Sequence, residues 1–277
     1  MRRVLSVIIP ASNEEAYIGP CLAALFASYP VPGGAEAVVV ANGCRDRTAD
    51  RARAMSDQAA AAGWGLTVIE RAEGGKPAAL DAGDAAAGGN LRAYLDADVI
   101  VSAPLMAELA AALGEDPPRY ATGTAHIPPA RSRVTRAYAR FWQRLPFARS
   151  VAPGYGLFAV NASGRARWGC FPRLISDDTF VRLQFTPEER VQCRASYDWP
   201  MIEGFAALVR VRRRQDRGVA EIAALYPGLP DREAKAPLGA AGLVRLALAD
   251  PVGFAVYAAV SLAVRAGGGD GGWTRGR

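Results

Sequence analysis

Leu91-Arg92-Ala93-Tyr94-Leu95-Asp96-Ala97-Asp98-Val99 decides how this chain reads. An apolar run from Leu91 to Leu95 delivers two carboxylates one residue apart, and a helix-forming segment follows from Ser102. In an open α/β sheet, ligands collect where the strands end at their carboxyl edge. Surface aspartates at strand ends are common, but these two interrupt a run that looks buried, and a buried charge calls for a partner or a metal. A hard divalent cation such as magnesium takes one or two protein carboxylates and completes its shell with phosphate oxygens. The pattern suggests chemistry on a nucleotide-activated substrate.

Working outward, residues 4–10, 37–41, 66–69, 92–95 and 120–127 read as strands, with helical stretches at 14–28, 47–62, 77–87 and 104–113. That alternation predicts an α/β fold, a mostly parallel, Rossmann-like sheet with helices on both faces. The loops after the first, second and fourth strands carry Asn13, Asn42, Asp96 and Asp98, so polar groups converge at one edge. Beyond residue 128 the pattern changes. Residues 131–149 form a basic helical arm interleaved with Tyr138, Phe141, Trp142 and Phe147. A turn at Gly154-Tyr155-Gly156 leads into a strand, Ser176 opens a short helix through Phe185, and residues 200–222 read as an arginine-dense helix. The expected division is a first α/β half at 1–127, a second half of the same domain at 128–226, and a tail at 227–277 whose last dozen residues read as disordered.

The chain has 277 residues, 51% of them hydrophobic, enough for one large domain with or without an appendage. Its net charge is +6, and only Lys76 and Lys235 are lysines, so the positive charge is almost all arginine. Guanidinium groups fork onto phosphates, which fits phosphorylated substrates, an anionic membrane or nucleic acid. Cys21, Cys44, Cys170 and Cys193 form no CxxC pair and His126 is the single histidine. This argues against a zinc site, a disulfide framework or a Ser-His-Asp machine, and for thiols in a reducing, cytoplasmic compartment. The opening Val4-Leu5-Ser6-Val7-Ile8-Ile9 runs straight into Pro10 and reads as a strand rather than a signal segment. No stretch reaches the roughly 20 apolar residues needed to span a bilayer. Residues 243–264 are apolar but broken by Arg245 and Asp250, as for a helix lying in a membrane interface or a tail packed on the domain.

Three further groups carry chemistry. Asp177 and Asp178 are either first-turn acids that favour the helix dipole or a general base for an attacking hydroxyl. Gly74-Gly75-Lys76 is a flexible turn with a solvated lysine, or a phosphate-contacting loop at a helix start. It is not a P-loop, and no GxGxxG follows the first strand. Arg210, Arg212, Arg213, Arg214 and Arg217 form a solvated helix face or an anion site.

Together these pieces resemble the family 2 glycosyltransferases of GT-A fold. Ile8 to Glu15 looks like that family's first-strand signature, and Val39 to Thr48 like its second. Gly75 to Gly83 matches its Gly-Lys segment, Leu95 to Asp98 its DxD, and Ser176-Asp177-Asp178 stands where its Thr-Glu-Asp triplet ends in the catalytic base. The likeness covers roughly residues 4–220. It implies inverting transfer of a sugar, of hexosyl type, from a nucleotide diphosphate donor to an acceptor hydroxyl, with Mn2+ or Mg2+ as cofactor. Pro10, Ala11, Asn13, Glu14, Asn42 and Lys76 would line the donor pocket. Asp96 would lie near the ribose or the metal, and Asp98 would ligate the metal. Asp178, beside Asp177, would deprotonate the acceptor. Gly154, Tyr155 and Gly156 would border the acceptor, and Arg214 and Arg217 would face the diphosphate or acceptor.

The chain departs from the family pattern at Ala41, where an aspartate is usual, at Asp81 and at Val99. Arg212 to Gly218 is not the Gln-x-x-Arg-Trp of polymerising members, which favours single-sugar transfer. The resemblance admits a lipid-linked acceptor and peripheral contact with the inner face of the cell membrane, and offers no role for nucleic acid. A nucleotidyltransferase and a non-catalytic polyanion- or nucleotide-binding protein are the competing readings. The first would carry a basic, glycine-rich loop after the first strand, where Ala11-Ser12-Asn13-Glu14 is acidic. The second gives no reason for acids to recur at separate strand ends.

Overall fold

A computed structural model describes residues 4–114, 116–233 and 237–266. In chain order the elements are β1 (Leu5–Ala11), α1 (Ile18–Phe26), β2 (Ala35–Asn42), α2 (Thr48–Arg53), α3 (Ser56–Ala61), β3 (Trp64–Arg71) and α4 (Lys76–Ala86). They continue as β4 (Leu91–Leu95), β5 (Ile100–Val101), α5 (Leu105–Leu113), β6 (Tyr120–His126), α6 (Arg133–Trp142), β7 (Leu157–Val160) and α7 (Ala162–Arg165). The last are α8 (Asp177–Arg182), β8 (Arg190–Asp198), α9 (Phe205–Leu225), α10 (Ala240–Ala249) and α11 (Pro251–Ala266). The chain divides into two compact units. The first takes Met1–His126, Gly154–Arg173 and Asp177–Trp199, and the second Ile127–Pro153, Leu174–Ser176 and Pro200–Arg277.

The first unit holds one sheet, ordered β3-β2-β1-β4-β7-β6-β8-β5. β3, β2, β1 and β4 run parallel, β7 is antiparallel to both its neighbours, and β6 and β8 pair in parallel. Leu5, Val7, Ile8 and Ile9 of β1 and Val38, Val39 and Val40 of β2 are fully buried. Such continuous apolar runs belong to parallel strands covered on both faces. Because β1 lies between β2 and β4, the connections leave it in opposite directions. That is a topological switch point, where a crevice opens at the carboxyl ends of the strands. Gly83 lets α4 press against this part of the sheet, since a Cβ there would run into Ile8.

Two local readings change in this unit. The single helix expected at 47–62 is two, α2 and α3. The Ser56 hydroxyl donates to the carbonyl of Arg53 at 2.7 Å, competing with the helical ladder there. β8 carries no strand signal of the apolar kind, yet Cys193, Ala195 and Tyr197 face inward while Gln192, Arg194 and Ser196 are exposed. Its inward residues include small ones, so the period-two pattern is weak in sequence.

The second unit is helical. The arm at 131–149 contributes the shorter α6, capped by Ser132, whose Oγ accepts from the amide of Thr135 at 3.3 Å. Tyr138, Leu208, Val209 and Val260 form its core, with Tyr138 stacked on Tyr257 at 5.5 Å. The apolar stretch at 243–264 breaks at Asp250-Pro251, because proline cannot continue α10 and Asp250 caps α11 through the amide of Gly253 at 3.0 Å. The expected disorder of the last dozen residues lies outside the described residues.

Arg140 grips Asp250 through two hydrogen bonds, at 2.7 and 2.8 Å. These bonds hold the Asp250 carboxyl at about 2, below its ordinary 3.8. A depressed carboxylate stabilises the fold above its unfolded pKa, and the contribution fades as pH falls through the folded value. The pair is expected to contribute about 1–2 kcal/mol at neutral pH. In thermal melts, the Tm gap between wild type and Asp250→Asn should be full at pH 6 and close on approaching about pH 2.

Candidate active site

At the end of β4 the chain turns, with the amide of Val99 donating to the carbonyl of Asp96 at 3.1 Å. Ala97 and Val99 are buried while Asp96 and Asp98 are half-buried, so the alternation directs both carboxylates away from the core. The amide of Asp96 donates to the carbonyl of Gly156 at 2.9 Å, which joins this turn to the Gly154–Gly156 loop.

Lys76 opens α4, and Gly75 before it has a φ of 146°, a conformation that needs glycine. The Lys76 ammonium donates to Asp96 Oδ1 at 2.9 Å and lies 3.2 Å from Asp177 Oδ2. It thus joins carboxylates supplied by two distant parts of the sequence. Asp177 is 5% exposed. Burial pushes its carboxyl up to about 6, against the pull of Lys76 and with the neighbouring Asp178 and Asp96 adding to the rise. Burial disfavours the charge on Lys76 in turn, but Asp177, Asp96 and Asp178 outweigh it and hold the ammonium well above its ordinary value. Lys76 therefore stays charged at any working pH.

These groups border a small crevice that opens to solvent, walled by Pro10, Lys76, Asp96, Gly156, Asp177 and Asp178. Leu80, Tyr94, Leu95 and Phe158 complete the lining, the Tyr94 and Phe158 rings stacked at 4.9 Å. The Tyr94 hydroxyl bonds to Asp84 at 2.9 Å, and Arg165 holds Asp84 from the other side at 2.8 Å. Neither Tyr94 nor Asp84 stood out in the sequence, because a lone Asp on a helix reads as solvated. A tyrosine inside a buried strand, which needs a partner for its hydroxyl, was the available signal.

The other expected donor residues form the loops beside the cleft. Asn42 is buried, its Nδ2 donating to the Ala11 carbonyl at 2.9 Å and its Oδ1 accepting from the amide of Gly75 at 3.0 Å. It ties β1, β2 and the Gly-Lys loop together. Asn13, at a φ of 53°, accepts from the amide of Arg45 at 2.6 Å, and the amide of Glu14 donates to Thr48 Oγ1 at 2.8 Å. Asp81 accepts from the amide of Phe171 at 2.8 Å, a fold contact that suits an aspartate. Asp98 shares the turn with Asp96 without lining the cleft. Arg214 and Arg217 belong to α9 in the second unit.

Gly154 and Gly156 have φ values of 72° and 77°. A Cβ on Gly154 would run into Tyr120 Oη, and one on Gly156 would meet Trp199. Tyr155 between them packs on Trp199, with centroids 4.7 Å apart, and its carbonyl accepts from the Tyr197 hydroxyl at 2.8 Å. Gly154→Ala should destabilise the protein by about 2–4 kcal/mol, combining a left-handed backbone with an overpacked core. Denaturant titration measures this, and a midpoint unchanged from wild type contradicts it.

Among the described residues no group of three His, Cys, Asp or Glu side chains is placed to hold a metal. What the cleft offers is one fixed cation among three carboxylates, at the switch point of the sheet. Such a site can bind a phosphorylated ligand, place charge beside a leaving group and take up a proton.

The chain is similar in fold to a mannosyltransferase from Pyrobaculum calidifontis solved with GDP-Man and Mn2+. That match has a TM-score of 0.60 and 22% identity, covering 96% of this chain and 76% of the other. Residues 1–349 of S. aureus TarS, solved with UDP-GlcNAc, superpose with a TM-score of 0.57 at 13% identity, over 94% of this chain and 91% of that one. Glucosyl-3-phosphoglycerate synthase from Mycobacterium tuberculosis, with Mn2+, UDP-Glc and phosphoglyceric acid, gives 0.54 at 19% identity, over 80% and 79%. These likenesses establish a GT-A fold, as the sequence led us to expect. A search of curated protein sequences gives no match. The family description Glycosyl transferase family 2 matches residues 6–165, which include β1, the Gly-Lys loop and the turn after β4. With more than half of its length so matched, this chain belongs to glycosyl transferase family 2 and is a glycosyltransferase.

Proposed function

We propose that this enzyme moves a single sugar, with inversion, from a nucleoside diphosphate sugar to an acceptor hydroxyl, using Asp178 as the general base. The observation that carries the reading is the Lys76 ammonium bridging Asp96 and Asp177 in a cleft that Asp178 also walls. In a one-step displacement the base takes the acceptor's proton as its oxygen bonds to the anomeric carbon. The bond to the diphosphate breaks with inversion, and charge develops on the leaving phosphate. Asp178 suits the base better than Asp177. It is half-buried at the cleft, whereas Asp177 is buried against Lys76.

Lys76 supplies permanent positive charge for the diphosphate, held in place by Asp177. Asp96 and Asp98 are half-exposed carboxylates at the strand end, a donor set that fits one Mn2+ or Mg2+ completed by diphosphate oxygens. Bound there, the cation would neutralise charge on the leaving group. The solved complexes with Mn2+ and nucleotide sugars support this cofactor and donor class. Pro10, Ala11, Asn13, Glu14 and Asn42 shape the donor side from the ends of β1 and β2 and the loop after β1. Gly154, Tyr155 and Gly156 border the acceptor, for which lipid-linked alcohols are included. Family membership favours this reading over nucleotidyl transfer and passive polyanion binding.

The test is a panel of nucleotide sugars with Mn2+ and alcohol acceptors, followed by product NMR. One donor should release its nucleoside diphosphate and yield a product of opposite anomeric configuration. Retained configuration contradicts the mechanism, and no turnover with any donor contradicts the reading.

A further inference from the structure

We infer that the outer faces of α10 and α11 form a docking surface for an anionic phospholipid membrane, on which the protein lies without crossing it. None of the residues of α10, Ala-Ala-Gly-Leu-Val-Arg-Leu-Ala-Leu-Ala, is buried. Val244 is 57% exposed and Leu248 78%, one helical turn apart. On α11 the exposed stripe is Val252, Ala255, Ala259, Leu262 and Ala266, spaced alternately by three and four residues. A helix at a water-facing surface normally carries polar residues on that stripe, and this one carries none. The inner face of α11 is occupied, with Tyr257 on Tyr138 and Phe254 on Phe141. The apolar outer faces are thus unspent surface, edged by the exposed Arg245 and Arg265.

Charge selects the occupant. By sequence the second unit carries seventeen basic and seven acidic residues, net +10, while the first carries sixteen and twenty, net −4. The whole positive excess of the protein therefore lies in the unit that bears the apolar faces. A second copy docked through the same faces would set two +10 units against each other, at a cost in repulsion. An anionic headgroup layer is attracted by the same charge, while its acyl region takes Leu248 and Leu262. Among the described residues no helix is long and apolar enough to span a membrane, so the attachment is interfacial. This inference does not rest on the proposed reaction.

The test is sedimentation of the full chain with vesicles of phosphatidylcholine alone, or of phosphatidylcholine and phosphatidylglycerol in equal parts. Wild type should pellet with the anionic vesicles and be released by salt. The double variant Leu248→Asp/Leu262→Asp should lose at least about tenfold in partitioning for each leucine replaced. It should keep the wild-type Tm, because both side chains are exposed. Three results would overturn the inference: no sedimentation with anionic vesicles, equal binding to neutral ones, or unchanged partitioning of the double variant. A wild-type dimer by light scattering that the double variant renders monomeric would assign the surface to a second copy and also overturn it.

Discussion

Asp178→Asn is expected to lower kcat by about 10²–10⁴-fold, the range that a positioned general base contributes. The amide keeps the shape of the side chain and its acceptor oxygen for the Thr179 amide, a bond of 2.6 Å in the wild type. What it loses is the basic oxygen that the proposed proton transfer requires. Donor affinity should stay within about twofold, because Lys76, Asp96 and Asp98 remain in place. Single-turnover assays alongside nucleoside diphosphate titrations separate these effects. Wild-type turnover in Asp178→Asn would leave the enzyme without the base assigned here. An equal collapse of binding would assign Asp178 to donor recognition instead.

Lys76→Met should produce the second large effect, on stability and donor binding together. Removing the ammonium leaves buried Asp177 facing Asp96 and Asp178 with no opposing charge. Breaking one side of a buried ion pair costs about 3–5 kcal/mol, and the half-exposed lysine reduces that to about 1–3 kcal/mol. The Asp177 carboxyl, already up at about 6 through burial, should rise further and be protonated at neutral pH. The sign can be checked with pH. A carboxyl raised in the folded state favours folding at low pH and loses that advantage as pH climbs through its folded value. The deficit of Lys76→Met against wild type should therefore shrink on acidification. Adding Asp177→Asn to Lys76→Met should recover stability by relieving the stranded acid, without recovering transfer. Chemical denaturation and kinetics on the single and double variants make the comparison, and recovery of both by the second substitution would deny Lys76 its place at the diphosphate.

How much of this was legible depends on how local the cause is. β1, β2 and β4 are readable because strands buried on both faces are mostly apolar, and polar residues stand where they end at the carboxyl edge of the sheet. The Gly-Lys loop was readable because its glycines and lysine precede a helix start. β8 is hidden by its small inward residues, and the break between α2 and α3 falls where the Ser56 hydroxyl bonds to the carbonyl of Arg53. The bridge from Lys76 to both Asp96 and Asp177 could not be seen at all, since no periodicity encodes a contact between side chains so far apart in the chain. Asn42 shows the same limit. Its position at a strand end signalled importance, while its buried amide, bonded to the carbonyl of Ala11 and the amide of Gly75, was set by tertiary packing.

In the proposed mechanism, carboxylates after β4 and at α8 serve a cation-assisted diphosphate site. Isothermal titration of nucleoside diphosphates tests it most directly, on wild type with Mn2+, on wild type with EDTA, and on Asp98→Ala with Mn2+. Tight binding is expected only in the first case, with affinity at least about tenfold weaker in the other two, or ~1.4 kcal/mol. Equal affinity in all three would contradict the account.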